Sequence, residues 1–174
     1  VIGYLLVGGQ GRRMGGCKAS RLFAGRPLWR YGYELLQQCC AQVHLLGHCP
    51  DLELPTRVEK SPGQGPLGAL VDALESTPGD WNLVLALDYP LLTLDVVEQL
   101  RPGLGLARLP RCQGQPHPLC GCYHRQAAGP LGEAFRGGER SLLRALAGLG
   151  EQVHWLEFGD SGPFLNVNSP ADLR

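Results

Sequence analysis

The sequence lacks an excess of charge of either sign: its 174 residues carry 16 Lys plus Arg against 16 Asp plus Glu. No overall field therefore draws in nucleic acid or an anionic membrane surface, and partners must be sought in local sites. Long apolar runs are missing too. None approaches the ~20 residues of a membrane span, and the N-terminal residues do not follow the basic, apolar, small-residue order of a secretory signal. A cytoplasmic protein is the expectation. The chain begins at Val1, which leaves processing or excision from a longer protein open. Repeats, low-complexity tracts and linker-like stretches are also absent, so a single domain over residues 1–174 is expected, long enough to bury its core without staples.

The seven cysteines (17, 39, 40, 49, 112, 120 and 122) show no C-x-x-C pair. An odd number in a chain of this size argues against a secreted disulfide framework, and most are expected to be free thiols. Cys112, His117, Cys120, Cys122 and His124 hold enough soft ligands for a zinc or copper site. In the strand-like stretch "PLCGCYH", however, Cys120 and Cys122 alternate to one face, where cysteine acts as a small buried hydrophobe. The burial reading is preferred.

What is present is an alternation of two patterns. "IGYLLV" (2–7), "QVHLLG" (42–47) and "NLVLAL" (82–87) are short and mostly apolar, as strands buried on both faces are. Between them, 27–40 and 66–76 place apolar residues at helical spacing behind a proline, whose missing N–H costs nothing at a helix start. Strand then helix, repeated, predicts an α/β domain with a mainly parallel sheet and ligands beyond the carboxyl ends of its strands. Further on, 92–101, 126–136 and 140–148 read as helices and 116–124 and 152–158 as strands. The Gly-, Pro- and Arg-rich stretch 103–118 reads as a loop or edge excursion.

Directly after the first strand comes "GGQGRRMGGCK", five glycines and three cations in eleven residues. Exposed N–H groups after a strand surround an anion, and glycine lets the backbone come close. A phosphate loop of the G-K-[S/T] type is excluded because Cys17 separates Gly16 from Lys18 and Ala19 follows. A dinucleotide fingerprint is excluded because Met14 stands where its third glycine belongs. What survives suits a nucleoside triphosphate, whose leaving pyrophosphate gains charge that Arg12, Arg13 and Lys18 can stabilise.

Asp88 ends the apolar run "NLVLAL", on the same sheet edge as the glycine loop. A carboxylate there can hold Mg2+ together with phosphate oxygens and water. A helix cap or turn residue is the competing reading of Asp88. In "NVNSP", Asn166 and Asn168 share one face of extended chain and can complete a metal shell or orient a phosphate without adding charge.

Taken in order, "LLVGGQGRRMGGCK", "GRPLWRYGYELL", "GPLGALVDAL", "LALDYPLL", "HPLCGCY", "GERSLLRAL" and "NVNSPADL" resemble the molybdenum cofactor guanylyltransferase (MobA-like) family of nucleotidyltransferases across nearly the whole chain. The resemblance implies a three-layer α/β/α Rossmann-like fold. It also implies transfer of GMP from GTP to the terminal phosphate of molybdopterin, with release of pyrophosphate. Carried over, Leu6, Val7, Gly8 and Gly9 would lie against base and ribose, while Gly11, Arg12, Arg13, Gly15 and Lys18 would handle phosphates. Asp88 would bind Mg2+, and Asn166 and Asn168 match the family's final asparagine pair, with Asn168 near the metal. Val7 stands where the family commonly has alanine. Lys60, with Glu59 beside it, is near the place of a nucleotide-contacting aspartate, and His48 follows the second strand where the family often has asparagine. Enzymes of cofactor assembly, or those receiving the product, are the implied partners.

Two other readings remain open at this point: a related transferase using CTP or another phosphorylated acceptor, and a nucleotide-binding module without turnover. Arg136, Arg140 and Arg144 are candidates for an acceptor-phosphate site, with a solvated helix face as the alternative.

Overall fold

A computed structural model describes residues 1–8, 17–57, 59–60 and 62–167. Gly9, Gly11, Arg12, Arg13, Gly15 and Asn168 lie outside the described residues. The first strand, β1 (Ile2–Leu6), is buried along its whole length, as its unbroken apolar run requires. A two-residue ribbon, β2 (Leu22–Phe23) and β3 (Arg26–Pro27), leads into α1 (Leu28–Cys39), and β4 (Gln42–Leu46) and β5 (Thr56–Arg57) follow. Next come α2 (Pro66–Ser76), with its proline in the first turn, β6 (Trp81–Ala86) and α3 (Leu94–Gln99). The second half contains β7 (Ala107–Cys112), β8 (Gln115–Pro116), β9 (Cys120–His124), α4 (Ala128–Arg136), α5 (Leu142–Ala147) and β10 (Val153–Phe158).

Among the described residues the main sheet has the order β10-β7-β9-β6-β1-β4-β5, with β8 attached to β7. β1 pairs in parallel with both β4 and β6, and β10 with β7, whereas β9 runs antiparallel between β6 and β7. The sheet is thus mainly parallel, and its two faces are covered separately. Tyr4, Leu6 and Val84 pack with Leu67 and Leu70 of α2, Leu131 of α4 and Leu146 of α5. Leu5, Leu45 and Leu85 pack with Leu36 of α1 and Val97 of α3 on the other side. Period-two alternation in the strands feeds these two layers, giving the expected three-layer α/β/α arrangement. None of the helices among the described residues is long and apolar enough to cross a membrane.

Several expectations are corrected. The stretch 103–118 is not a loop throughout: it contains β7, whose Ala107, Leu109 and Cys112 are buried while Arg108 and Arg111 are only partly covered. The strand read at 116–124 starts at Cys120, because Pro116 belongs to β8 and residues 117–119 turn. Cys120 and Cys122 do bury together, and burial pushes the Cys122 thiol up to about 12. Most of the cysteines are free thiols, as expected, namely Cys39, Cys40, Cys112, Cys120 and Cys122, while Cys17 is bonded to Cys49.

Candidate active site

Leu6 is aligned with both Leu46 and Ala86, so Gly8, His48 and Asp88 each lie two residues past the same register line. Three strand exits therefore reach one edge. The β1 exit is held by two amides, Val7 N–H and Gly8 N–H, that both donate to Leu46 O, at 2.8 and 3.2 Å. Gly47 crosses directly over Gly8: a β-carbon on Gly47 (φ +123°) would lie 2.2 Å from Gly8 N. Glycine is required at that crossing by both conformation and space.

Lys18 opens a single helical turn, Lys18–Ser20, that is anchored by the fully buried Ala19. Its Nζ donates to Asp88 Oδ1 at 2.5 Å, with the two side chains 16% and 32% exposed. The structure thus joins a cation from the glycine-loop segment to the carboxylate at the exit of β6. Asn166 also arrives here, since the next residue's amide, Val167 N–H, donates to Asp88 O at 2.8 Å.

Lys60 is not directed toward this edge. Its ammonium meets Glu75 at 2.9 Å, and its backbone N–H donates to Asp72 Oδ2 at 2.6 Å. Glu59 turns the other way, so that a β-carbon on Gly8 would lie 2.6 Å from Glu59 Oε1. Burial, and then the Asp72 charge, raises the Glu59 carboxyl above its ordinary value, while the Gly63 N–H works against that rise. His48 is exposed on the same edge, between Gly47 and the bonded Cys49.

An aromatic group flanks Asp88. Tyr89 Oη is 3.3 Å from His117 Nδ1, and the His117 ring stacks on Phe164 with centroids 4.7 Å apart. Burial holds the Tyr89 phenol well above its usual value and lowers His117, so a neutral imidazole meets a neutral phenol. Asp72 and Tyr89 escaped the sequence reading as site residues, and His117 was read only as a candidate soft-metal ligand. Asp72 had one visible signal, as the sole charge in the apolar helix stretch 67–74. Arg136, Arg140 and Arg144 are not gathered toward this edge. Arg136 pairs with Glu75, Arg144 with Glu139, and Arg140 caps Phe135 O while lying over the Phe135 ring.

Asp88 presents a single, partly exposed carboxylate to the edge, with one oxygen meeting Lys18. Among the described residues no group of three His, Cys, Asp or Glu side chains gathers into a cage. One partly open carboxylate suits Mg2+, which commonly keeps waters and takes substrate phosphates as its other ligands.

A family model for the MobA-like NTP transferase domain matches residues 3–152. The chain belongs to the MobA-like NTP transferase domain family. The matched stretch includes Gly8, Lys18, Glu59 and Asp88, while Asn166 lies beyond it. A probable molybdenum cofactor guanylyltransferase of Chloroflexus aggregans is 32% identical, with 99% of this chain and 91% of that protein aligned. The molybdenum cofactor guanylyltransferase of Cereibacter sphaeroides is also 32% identical, over 99% of this chain and 93% of that one. Among solved structures, the molybdopterin-guanine dinucleotide biosynthesis protein A of Archaeoglobus fulgidus superposes with a TM-score of 0.80 at 26% identity. The superposition covers 99% of this chain and 95% of that one. Membership of the family agrees with the α/β fold shared with that structure.

Proposed function

We propose that this chain transfers GMP from GTP to the terminal phosphate of molybdopterin, releasing pyrophosphate and forming molybdopterin guanine dinucleotide. The observation that carries the reading is the Lys18–Asp88 pair at the sheet edge beside Gly8, in a chain of this family. A phosphate oxygen of the acceptor attacks the α-phosphorus, and the bond from that phosphorus to the bridging oxygen breaks as pyrophosphate leaves. No protein base is needed, because a phosphate nucleophile is already ionised near pH 7. Lys18, with Arg12 and Arg13, supplies positive charge where the leaving group gains negative charge. Asp88 and Asn168 would hold Mg2+ together with the substrate phosphates, and the ion would supply further charge neutralisation. Asn166, beside the Val167 amide that donates to Asp88 O, would orient a phosphate. Enzymes that assemble or receive the cofactor are the partners this reading implies.

Glu59 favours GTP over the CTP alternative. A carboxylate only accepts hydrogen bonds, and guanine offers adjacent N1–H and N2–H donors whereas cytosine offers one amino group. The test is calorimetric titration with GTP, CTP, ATP and UTP, with and without Mg2+, followed by product analysis with molybdopterin. GTP is expected to bind most tightly, and more so with Mg2+. Asp88→Asn should lower turnover by about 10²-fold or more. Unchanged turnover in that variant would remove the metal role, and a preference for CTP would move the assignment to cytidylyl transfer.

A further inference from the structure

We propose that Cys17 and Cys49 are a thiol–disulfide modification site through which a dithiol reductant lowers, and a disulfide oxidant restores, the affinity of this chain for its nucleotide. The inference rests on reading Lys18 and Asp88 as part of a nucleotide site. The two cysteines are 32 residues apart in sequence, with Cα atoms 5.8 Å apart. Both stand at the functional edge: Cys17 immediately precedes Lys18, and Cys49 follows His48 just past the exit of β4.

The chain leaves β1 at Gly8, which is bonded to Leu46 O and packed on Gly47. It re-enters the described structure at Cys17, which is bonded to Cys49. Both ends of the glycine segment are therefore fastened to the same short stretch, 46–49. One fastening is a permanent backbone contact and the other is a bond that can be opened. Lys18 begins its helical turn one residue from that bond, so its reach to Asp88 is tied to the oxidation state of Cys17.

A structural staple is the weaker reading of this bond. The other five cysteines are thiols, and a chain of this length buries two apolar layers without cross-links. An isolated disulfide in such company has the pattern of a transient or sensing bond. Cys49 is 2% exposed and Cys17 is partly exposed, so Cys17 is the accessible end. A thiolate of the reductant attacks Cys17 Sγ, the S–S bond breaks, and Cys49 leaves as a thiolate and takes up a proton. The second thiol of the reductant then displaces Cys17, which is protonated in turn. Two electrons and two protons enter the protein, and the reductant leaves as its own disulfide. Oxidation by a disulfide such as oxidised glutathione reverses each step.

The experiment combines thiol counting by alkylation and mass spectrometry with GTP titration in the presence of Mg2+. Both are run on protein oxidised with glutathione disulfide and on protein reduced with dithiothreitol. Expected are five alkylated cysteines in the oxidised protein and seven in the reduced one, with GTP binding about 10-fold weaker after reduction. Cys17→Ser and Cys49→Ser should each bind like the reduced protein and ignore dithiothreitol. Cys17→Ser, at the partly exposed position, guards against a folding defect from altering buried Cys49. Seven alkylated cysteines after oxidation would overturn the proposal. So would measurable but equal GTP affinity in both states, including the case where only thermal stability falls on reduction. Absence of binding to any nucleotide in either state would instead remove the nucleotide reading, and this inference with it.

Discussion

A carboxyl group that is buried and faces a second carboxylate gives up its proton at a higher pH than a free one, and Glu59 is placed this way against Asp72. The ionised form is the one that would accept hydrogen bonds from a base or ribose in the proposed nucleotide site beside Gly8. Its raised value therefore moves the loss of that contact upward from the ordinary 4.5. GTP affinity is expected to decline as pH is lowered from 7.5 toward 5, beyond the decline due to the nucleotide's own phosphates. Glu59→Gln should cost about 10-fold in affinity at pH 7.5, the worth of one hydrogen bond to a charged acceptor, and should flatten the residue's share of the pH profile. Titration calorimetry of both proteins at the two pH values checks this, and equal affinities would release Glu59 from the site. Lys60 was the residue singled out by position in the sequence, yet the neighbouring side chain occupies the edge. Alternate residues in an extended segment point opposite ways, and only the anchorage of Lys60 N–H on Asp72 decides which of the two faces Gly8.

At the scale of elements, the exits of β1 and β4 cross at van der Waals contact, and the crossing is made by Gly8 and Gly47. A side chain at Gly47 would overlap Gly8 N and Cα at 2.2 and 2.3 Å in a backbone conformation that only glycine adopts freely. Gly47→Ala is expected to destabilise the fold by roughly 3 kcal/mol, combining overpacking with backbone strain. It should also weaken GTP binding, because the atom displaced belongs to the nucleotide edge. Chemical denaturation and nucleotide titration measure the two effects. A change below about 0.5 kcal/mol, the ordinary range for surface substitutions, would show that the crossing is looser than described. The elements that bear this crossing were the most legible ones: β1, α1, β4, α2 and β6 all have boundaries within a residue or two of those read from apolar spacing. β7 was hidden because "ARLPRC" contains two arginines and a proline beside only three apolar residues. Its strand state comes from pairing with β9 and with β10, some 45 residues later, which no local pattern encodes. A separation of 32 residues likewise concealed the Cys17–Cys49 bond. The place of Asp88 at the sheet edge was legible because it directly follows a buried apolar run, and its pairing with Lys18 was not, because the two are 70 residues apart. The aromatic company it keeps came from three separate parts of the chain.

For the whole molecule, two partly buried histidines set the response to acid. His44 is lowered by burial and then by the Arg57 charge, and His117 by burial alone, both from 6.5. The unfolded chain takes up these protons first, so stability is expected to fall as pH drops below about 6.5 toward the lowered folded values. Glu59, raised in the fold, pulls the other way above 4.5. Thermal unfolding at pH 7.5 and 5.5 should therefore show a lower Tm at 5.5, and a His44→Gln/His117→Gln double variant should show a smaller drop. An unchanged pH dependence in the double variant would assign the effect elsewhere. The lone antiparallel strand of the main sheet's central run, β9, has a consequence of another kind. Parallel strands offer the functional edge only their exits, but β9 lies reversed between β6 and β7, so it offers its entrance, and His117 arrives beside Tyr89 by that route. The molecule is thereby divided into two workshops under one roof. The exits of β1 and β4 shape one, and the entrance of β9, reaching the edge from the opposite direction, shapes the other, with Tyr89 and His117 in contact where the two adjoin.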